Sequence, residues 1–203
     1  MSTIEEIRTY YDRIADIYDE RAAKNTHISI SDHSTWSWIM GRLPKDMESA
    51  ILDAGGGTGK WAICIAKLGY RITVLDVSAE MLRVASKKAT EEGLLHLVSI
   101  RQGNMEETDF PSESFDFILC EGDAFSLTPN PVRALREFYR ILKTNGLVSL
   151  NICNHYKLLP LMIQRMRTFD EVRRYFSEPN YGQEPLHGAT FRTWRPEEAL
   201  RLI

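Results

Sequence analysis

Residues 51–59 read Ile-Leu-Asp-Ala-Gly-Gly-Gly-Thr-Gly, an apolar run ending in an acid and then a turn with glycine at four of its five positions, 55 to 59. This turn constrains the fold more than any other stretch. A backbone that bends sharply, takes positive φ and lets a ligand touch its amides cannot carry Cβ atoms there. So many glycines are costly in chain entropy unless something must approach closely. A helix-like segment, Lys60 to Leu68, follows. The spacing removes two familiar nucleotide cradles. A G-x-G-x-x-G fingerprint beginning at Gly55 needs glycine where Lys60 stands, and a phosphate loop needs Gly-Lys-Ser/Thr, whereas Lys60 is followed by Trp61. What remains is Asp53-x-Gly55-x-Gly57-x-Gly59, with a second acid, Asp76, closing the next apolar run, Arg71 to Asp76. A carboxylate there can accept from vicinal hydroxyls and would repel a 2′-phosphate.

The rest of the chain alternates in the same rhythm. Ala50 to Asp53, Arg71 to Asp76, Leu97 to Gln102, Phe115 to Glu121 and Gly146 to Cys153 read as strands, short runs bounded by Gly, Pro or polar residues. Lys60 to Leu68, Ser78 to Glu92 and Pro131 to Leu142 read as helices, the last with Asn130 as cap and Pro131 at its first position. Parallel strands need crossover helices, so the expected fold is α/β: a Rossmann-like, doubly wound, mainly parallel sheet. Ahead of it, Ile7, Tyr10, Tyr11, Ile14, Ile17 and Tyr18 recur at three and four, which predicts an amphipathic helix from Ile4 to Ala23. A second helix is expected from Ser31 or Asp32 to Gly41. At 203 residues the chain suits one domain. We divide it into an N-terminal helical lid (1–45), a core (46–153) and a helical cap (154–203).

Composition excludes several classes. The hydrophobic share of 43% and charged share of 26% are ordinary for a globular protein, and the formal charge of −3 gives no footprint for nucleic acid. The first residues lack a basic start and an apolar core, and no apolar run approaches a membrane span, so a cytoplasmic location without membrane insertion is expected. Cys64, Cys120 and Cys153 sit in apolar runs as reduced thiols. Cys120 and Cys153 with His155 lack a zinc spacing, and no metal site is expected.

The glycine turn with its distal acid resembles the first motif of class I S-adenosylmethionine-dependent methyltransferases. The resemblance spans about residues 10–153. It implies that Asp53, Ala54, Gly55, Gly57, Thr58 and Gly59 pass under the methionine and ribose of S-adenosylmethionine. Asp76 would take the ribose hydroxyls, and Val77 and Met81 would be further cofactor-binding positions beside it. Asn104 and Met105, in Gly103-Asn104-Met105-Glu106, would meet the adenine, and Glu121 and Gly122 would line the floor. Tyr11 to Asp19 resembles the N-terminal segment of small-molecule methyltransferases, where aromatic residues such as Tyr18 close over the cofactor. S-adenosylhomocysteine would be the product. Glu121-Gly122-Asp123 stands where nucleobase and amide methyltransferases carry an Asn/Asp-Pro-Pro-aromatic motif, so the implied acceptor is a small molecule.

Methyl transfer from a sulfonium can rest on positioning and water exclusion, so a dedicated base is not required. His155, Asp123 and Tyr156 are the titratable candidates at strand ends should one be used. The alternative is a non-catalytic S-adenosylmethionine-binding regulator or partner subunit. Residues 155–195 carry seven Lys/Arg against four acids, interleaved with apolar residues, and are read as a substrate-facing cap. Thr193 to Leu200 resembles the helix that in this family precedes a final antiparallel strand pair. That pair is not expected within 203 residues, so a homodimer is one expectation for covering the exposed sheet edge.

Overall fold

The computed structural model describes residues 2–154, 168–177 and 192–201. The elements in order are α1 (Ile4–Ala23), α2 (Thr26–Met40), β1 (Ile51–Ala54), α3 (Lys60–Ala66), β2 (Ile72–Asp76), α4 (Ala79–Glu91), β3 (Val98–Gln102), β4 (Phe115–Cys120), α5 (Ala124–Leu127), α6 (Pro131–Ile141), β5 (Leu142–Leu150), α7 (Phe169–Ser177) and α8 (Pro196–Leu200). The five strands form one sheet in the order β3-β2-β1-β4-β5, and all pairings are parallel. Order reverses between β1 and β4, so the crevice beyond the carboxyl ends of those strands is the natural ligand position.

Successive strand residues face opposite layers. Ile51, Ile72, Val74, Phe117 and Leu119 join Ile39 of α2, Ala62, Ile63 and Ile65 of α3 and Leu82 of α4 in one core. Leu52, Ala54, Leu75, Ile118 and Cys120 join Phe125 and α6 residues Ala134, Phe138 and Ile141 in the other, with Trp194. Strands β1 and β4 are buried almost throughout, as expected of strands covered on both faces.

Local chemistry sets the boundaries. Thr3 and Glu6 form a capping box at the start of α1, which spans the expected residues. Ser78 accepts from Met81 N at the start of α4, and Asn130 accepts from Arg133 N ahead of Pro131. Two boundaries differ from the sequence reading by four residues or more. Helix α2 begins at Thr26, because the Asn25 side chain accepts the Ile28 N–H (3.4 Å) and caps earlier than Ser31 or Asp32. Strand β5 begins at Leu142, not Gly146: its register against β4 jumps from Phe115↔Leu142 to Phe117↔Leu147, a bulge holding Asn145 at φ 66°. Trp194 returns beside the segment that follows β5, in an isolated parallel bridge with Asn154 and with its N–H donating to Cys153 O (2.9 Å).

Candidate functional site

The carboxyl end of β1 turns through three left-handed glycines, Gly55 (φ 72°), Gly57 (φ 53°) and Gly59 (φ 73°). Each meets different surroundings. A Cβ on Gly55 would lie 2.6 Å from Ala124 Cβ and 3.0 Å from Met105 Cε, and one on Gly59 would lie 3.0 Å from Ala85 Cβ, so these glycines permit close packing. A Cβ on Gly57 would meet nothing within 4 Å, and the same holds at Gly122 (φ 70°) after β4. Those two positions, at the ends of the strands flanking the reversal, are bare backbone with open space where a side chain would stand.

The turn is fixed by its neighbours. Gly55 N and Gly56 N both donate to Leu75 O (2.7 and 3.1 Å), and Gly57 N donates to Asp76 Oδ2 (2.9 Å). The other Asp76 oxygen accepts from Ser78 N (2.9 Å). Asp76 is thus a tie between the two strand ends as well as an acid facing the crevice, and burial raises its pKa against the backbone donors that lower it.

Four carboxylates converge here. Asp53 is buried with Oδ2 unpaired, and burial, Glu121 and Asp76 push its pKa up to about 7. Glu121 accepts from Ser149 Oγ (2.6 Å) and is raised by burial, with Asp123 adding to the shift. Asp123 stands at the start of α5 with φ 64° and no side-chain capping bond, and its N–H donates to Asn151 Oδ1 (3.2 Å). A crevice this rich in acid favours a cationic ligand.

Helix α1 packs beside the site, bonding Ser78 and Thr58. The Tyr11 and Tyr18 rings lie 6.1 Å apart, and burial raises both phenols, with the charges of Asp76 and Asp123 adding to it. Met105 supplies apolar surface beside Gly55, its sulfur 3.9 Å from Cys120 Sγ.

The sequence-derived candidates divide three ways. Tyr18, Asp53, Gly55, Gly57, Asp76, Met105, Glu121 and Asp123 are brought together by the contacts above, with Gly122 between the last two acids in the chain, while Thr58 is buried in the turn against Asp19 and Gly59 packs on Ala85. Ala54 is fully buried in the core, Met81 is 99% hidden in the first turn of α4, and Val77 contributes its carbonyl to Gln102 Nε2 (3.1 Å). Asn104 forms a local turn, its Oδ1 accepting from Glu106 N (3.0 Å). His155 and Tyr156, with residues 155–167 and 178–191 of the cap, lie outside the described residues.

Sequence reasoning missed two features. Asp12 and Asp19 of α1 bond Ser78 Oγ (2.6 Å) and Thr58 Oγ1 (2.7 Å), and the signal was an acidic row at 12, 16 and 19 on one helix face. Glu106, buried, accepts from Thr128 Oγ1 (2.5 Å) and Asn130 N (2.8 Å), pinning the loop after β3 to the start of α6.

A family model described as a methyltransferase domain matches residues 52–150, from β1 to the end of β5. The chain is 34% identical over 146 residues to demethylmenaquinone methyltransferase of Listeria monocytogenes, covering 70% of this chain and 60% of that protein. It is 36% identical over 145 residues to the ubiquinone/menaquinone biosynthesis C-methyltransferase UbiE of Nitrobacter hamburgensis, covering 67% and 55%. The chain therefore spans less than two thirds of the length of these curated relatives. Two solved structures share the fold. The [4+2]-cyclase SpnF superposes with a TM-score of 0.77 at 21% identity (99% of this chain, 71% of that one). An S-adenosylmethionine-dependent methyltransferase of Thermotoga maritima, described as a possible histamine N-methyltransferase, gives 0.64 at 22% identity (96% and 77%). With a parallel five-stranded sheet, a glycine turn at its reversal point and these relatives, the chain belongs to the class I S-adenosylmethionine-dependent methyltransferase family.

Proposed function

We propose that this chain binds S-adenosylmethionine in the Gly57–Gly122 cradle and transfers its methyl group by in-line displacement to a small acceptor, a hydroxylated aromatic ring of the quinol type. The observation that carries the cofactor assignment is the open, Cβ-free floor at Gly57, tied to Asp76 and surrounded by Asp53, Glu121 and Asp123. These groups fit a ligand bearing a sulfonium and an ammonium, which would offset the mutual repulsion of the carboxylates. In this reading Gly55, Gly57, Thr58 and Gly59 hold the cofactor through the turn and Asp76 accepts from its ribose. Asn104 and Met105 border the adenine, and Glu121 and Gly122 line the floor. The cofactor supplies an electrophilic methyl group. The chain's residues orient it, and Tyr11 and Tyr18 exclude water from the crevice. The quinol-type acceptor rests on the relatives' names alone, since fold does not fix the reaction and a cyclase shares the same architecture.

Calorimetric titration with S-adenosylmethionine and S-adenosylhomocysteine, followed by methyl transfer to demethylmenaquinol and related hydroxyaromatics, tests both parts. Binding of both nucleosides with methylation of at least one hydroxyaromatic is the expected result. Binding without any product would leave a cofactor-binding regulator, and failure to bind either nucleoside would overturn the assignment. The carboxylates also predict selectivity: Glu121→Gln should weaken S-adenosylmethionine several-fold more than S-adenosylhomocysteine, since only the former is a sulfonium. Equal weakening of the two would remove the electrostatic role of Glu121.

A further inference from the structure

Asp12, Asp16 and Asp19 of α1 are spaced four and three apart and share one helix face. They meet unlike partners. Asp12 Oδ1 accepts from Ser78 Oγ (2.6 Å) and Glu80 N (3.2 Å), capping α4 from outside. Asp19 divides its oxygens between Thr58 Oγ1 (2.7 Å) and Lys88 Nζ (2.7 Å). Asp16 pairs with Arg83 at the surface, where the two side chains are 78% and 47% exposed.

Thr58 and Ser78 carry hydroxyls just beyond the ends of β1 and β2. Thr58 is a buried member of the Gly55–Gly59 turn. Ser78, also buried, accepts from Met81 N (3.1 Å) and gives its own N–H to Asp76, whose other oxygen holds Gly57 N. Two chains of hydrogen bonds therefore run from α1 to the turn. One passes from Asp12 through Ser78 and Asp76 to Gly57, and the other joins Asp19 directly to Thr58.

We propose that Asp12 and Asp19 are positioning residues for cofactor binding: they latch α1 to the glycine turn, set the shape of that turn, and carry Tyr11 and Tyr18 over the crevice. The proposal rests on the cofactor assignment above. Hydrogen bonds to a carboxylate are the strong kind when partly withdrawn from water, whereas an exposed ion pair such as Asp16–Arg83 contributes little. Asp16 is therefore an internal control on the same helix face.

The test compares Asp12→Ala, Asp19→Ala and Asp16→Ala by calorimetric titration with S-adenosylmethionine and by amide hydrogen exchange. Asp12→Ala and Asp19→Ala should each raise the dissociation constant about tenfold, and Asp16→Ala less than about twofold. Asp12→Asn keeps an acceptor oxygen and should recover most of the loss. Ser78→Ala should weaken binding as much as Asp12→Ala, and the double variant no further. In turnover the effect should fall on KM for the cofactor with kcat nearly unchanged. Cofactor should slow exchange along α1 in the wild type and lose that effect in an Asp12→Ala/Asp19→Ala protein.

Wild-type binding by Asp12→Ala and Asp19→Ala, or losses no larger than in Asp16→Ala, would overturn the latch. If Asp12→Ala does not fold, Ser78→Ala and Asp19→Ala decide by the same criterion. Should the wild type bind neither nucleoside, the cofactor assignment fails. The latch is then read from the protein alone, by faster exchange at residues 55–59 in Asp19→Ala than in Asp16→Ala, and equal exchange would overturn it.

Discussion

Asp53 sits directly beneath the glycine turn, so close that a Cβ on Gly56 would lie 2.8 Å from its Cγ and Oδ2 and 2.8 Å from Val74 Cγ1. Gly56 and Gly57 should therefore fail differently when replaced. Gly56→Ala forces a methyl group onto a buried carboxylate and should cost about 2 kcal/mol or more of stability. Gly57→Ala meets open space and pays only for φ 53°, about 1 kcal/mol, yet places its methyl in the cradle. Denaturant titration beside cofactor titration should show Gly56→Ala losing stability first and Gly57→Ala losing affinity first.

The titration of Asp53 also has a sign. Its pKa is raised to about 7, so between about pH 4 and 7 the folded protein keeps a proton that the unfolded chain has released. Its contribution to stability is complete below the ordinary carboxylate range, falls as pH rises through that window by at most ~4 kcal/mol, and levels off above it. Glu121→Gln removes one cause of the shift while keeping an acceptor for Ser149. Unfolding at pH 5.5 and 7.5 should then show a smaller loss across the interval than in the wild type, and an unchanged loss would show that burial and Asp76 set the shift without Glu121.

At the scale of elements, Glu137 of α6 ties its helix to the loop before β4. It accepts from Thr108 N (2.8 Å), Thr108 Oγ1 (2.6 Å) and the Arg140 guanidinium (2.6 and 2.9 Å). These bonds, Arg140 first, hold its pKa down at about 2. The sign is opposite to that of Asp53: the stabilisation is present above the ordinary glutamate value and is lost as pH falls toward 2. With its side chain 12% exposed, Glu137 should contribute up to ~3 kcal/mol at neutral pH. Glu137→Gln should lower the thermal midpoint at pH 7 by several degrees and by little near pH 2.

Elements were also where sequence reading was most complete. The α1 limits, the five strands and the Asn130-Pro131 start of α6 were legible because periodicity and capping are local. The early start of α2 and the bulge in β5 were not. Asn25 is one of several possible caps in a polar stretch, and the bulge exists only because β5 must pair with β4.

At the scale of the molecule, Trp194 joins the returning chain to the sheet. Its ring is 4% exposed and stacks on Phe125 (6.0 Å, 27°) within the core shared by β1, β4 and α6. Trp194→Ala should cost about 3–5 kcal/mol. The measurement is global unfolding by denaturant, and a loss under about 1 kcal/mol would mean that residues 192–201 pack independently of the sheet.

The sequence by itself determined the parallel sheet, the position of the glycine turn and the candidate acids, because each is written in short-range patterns of apolar spacing, glycine and caps. Only the tertiary structure decided how they work together. Asp76 became a tie for Gly57, Asp53 acquired its perturbed pKa from burial and from Glu121 across the β1–β4 reversal, and the α1 aspartates found Thr58 and Ser78. Each of these pairs joins residues at least nineteen positions apart, and no local pattern encodes a contact that exists only once the layers have packed.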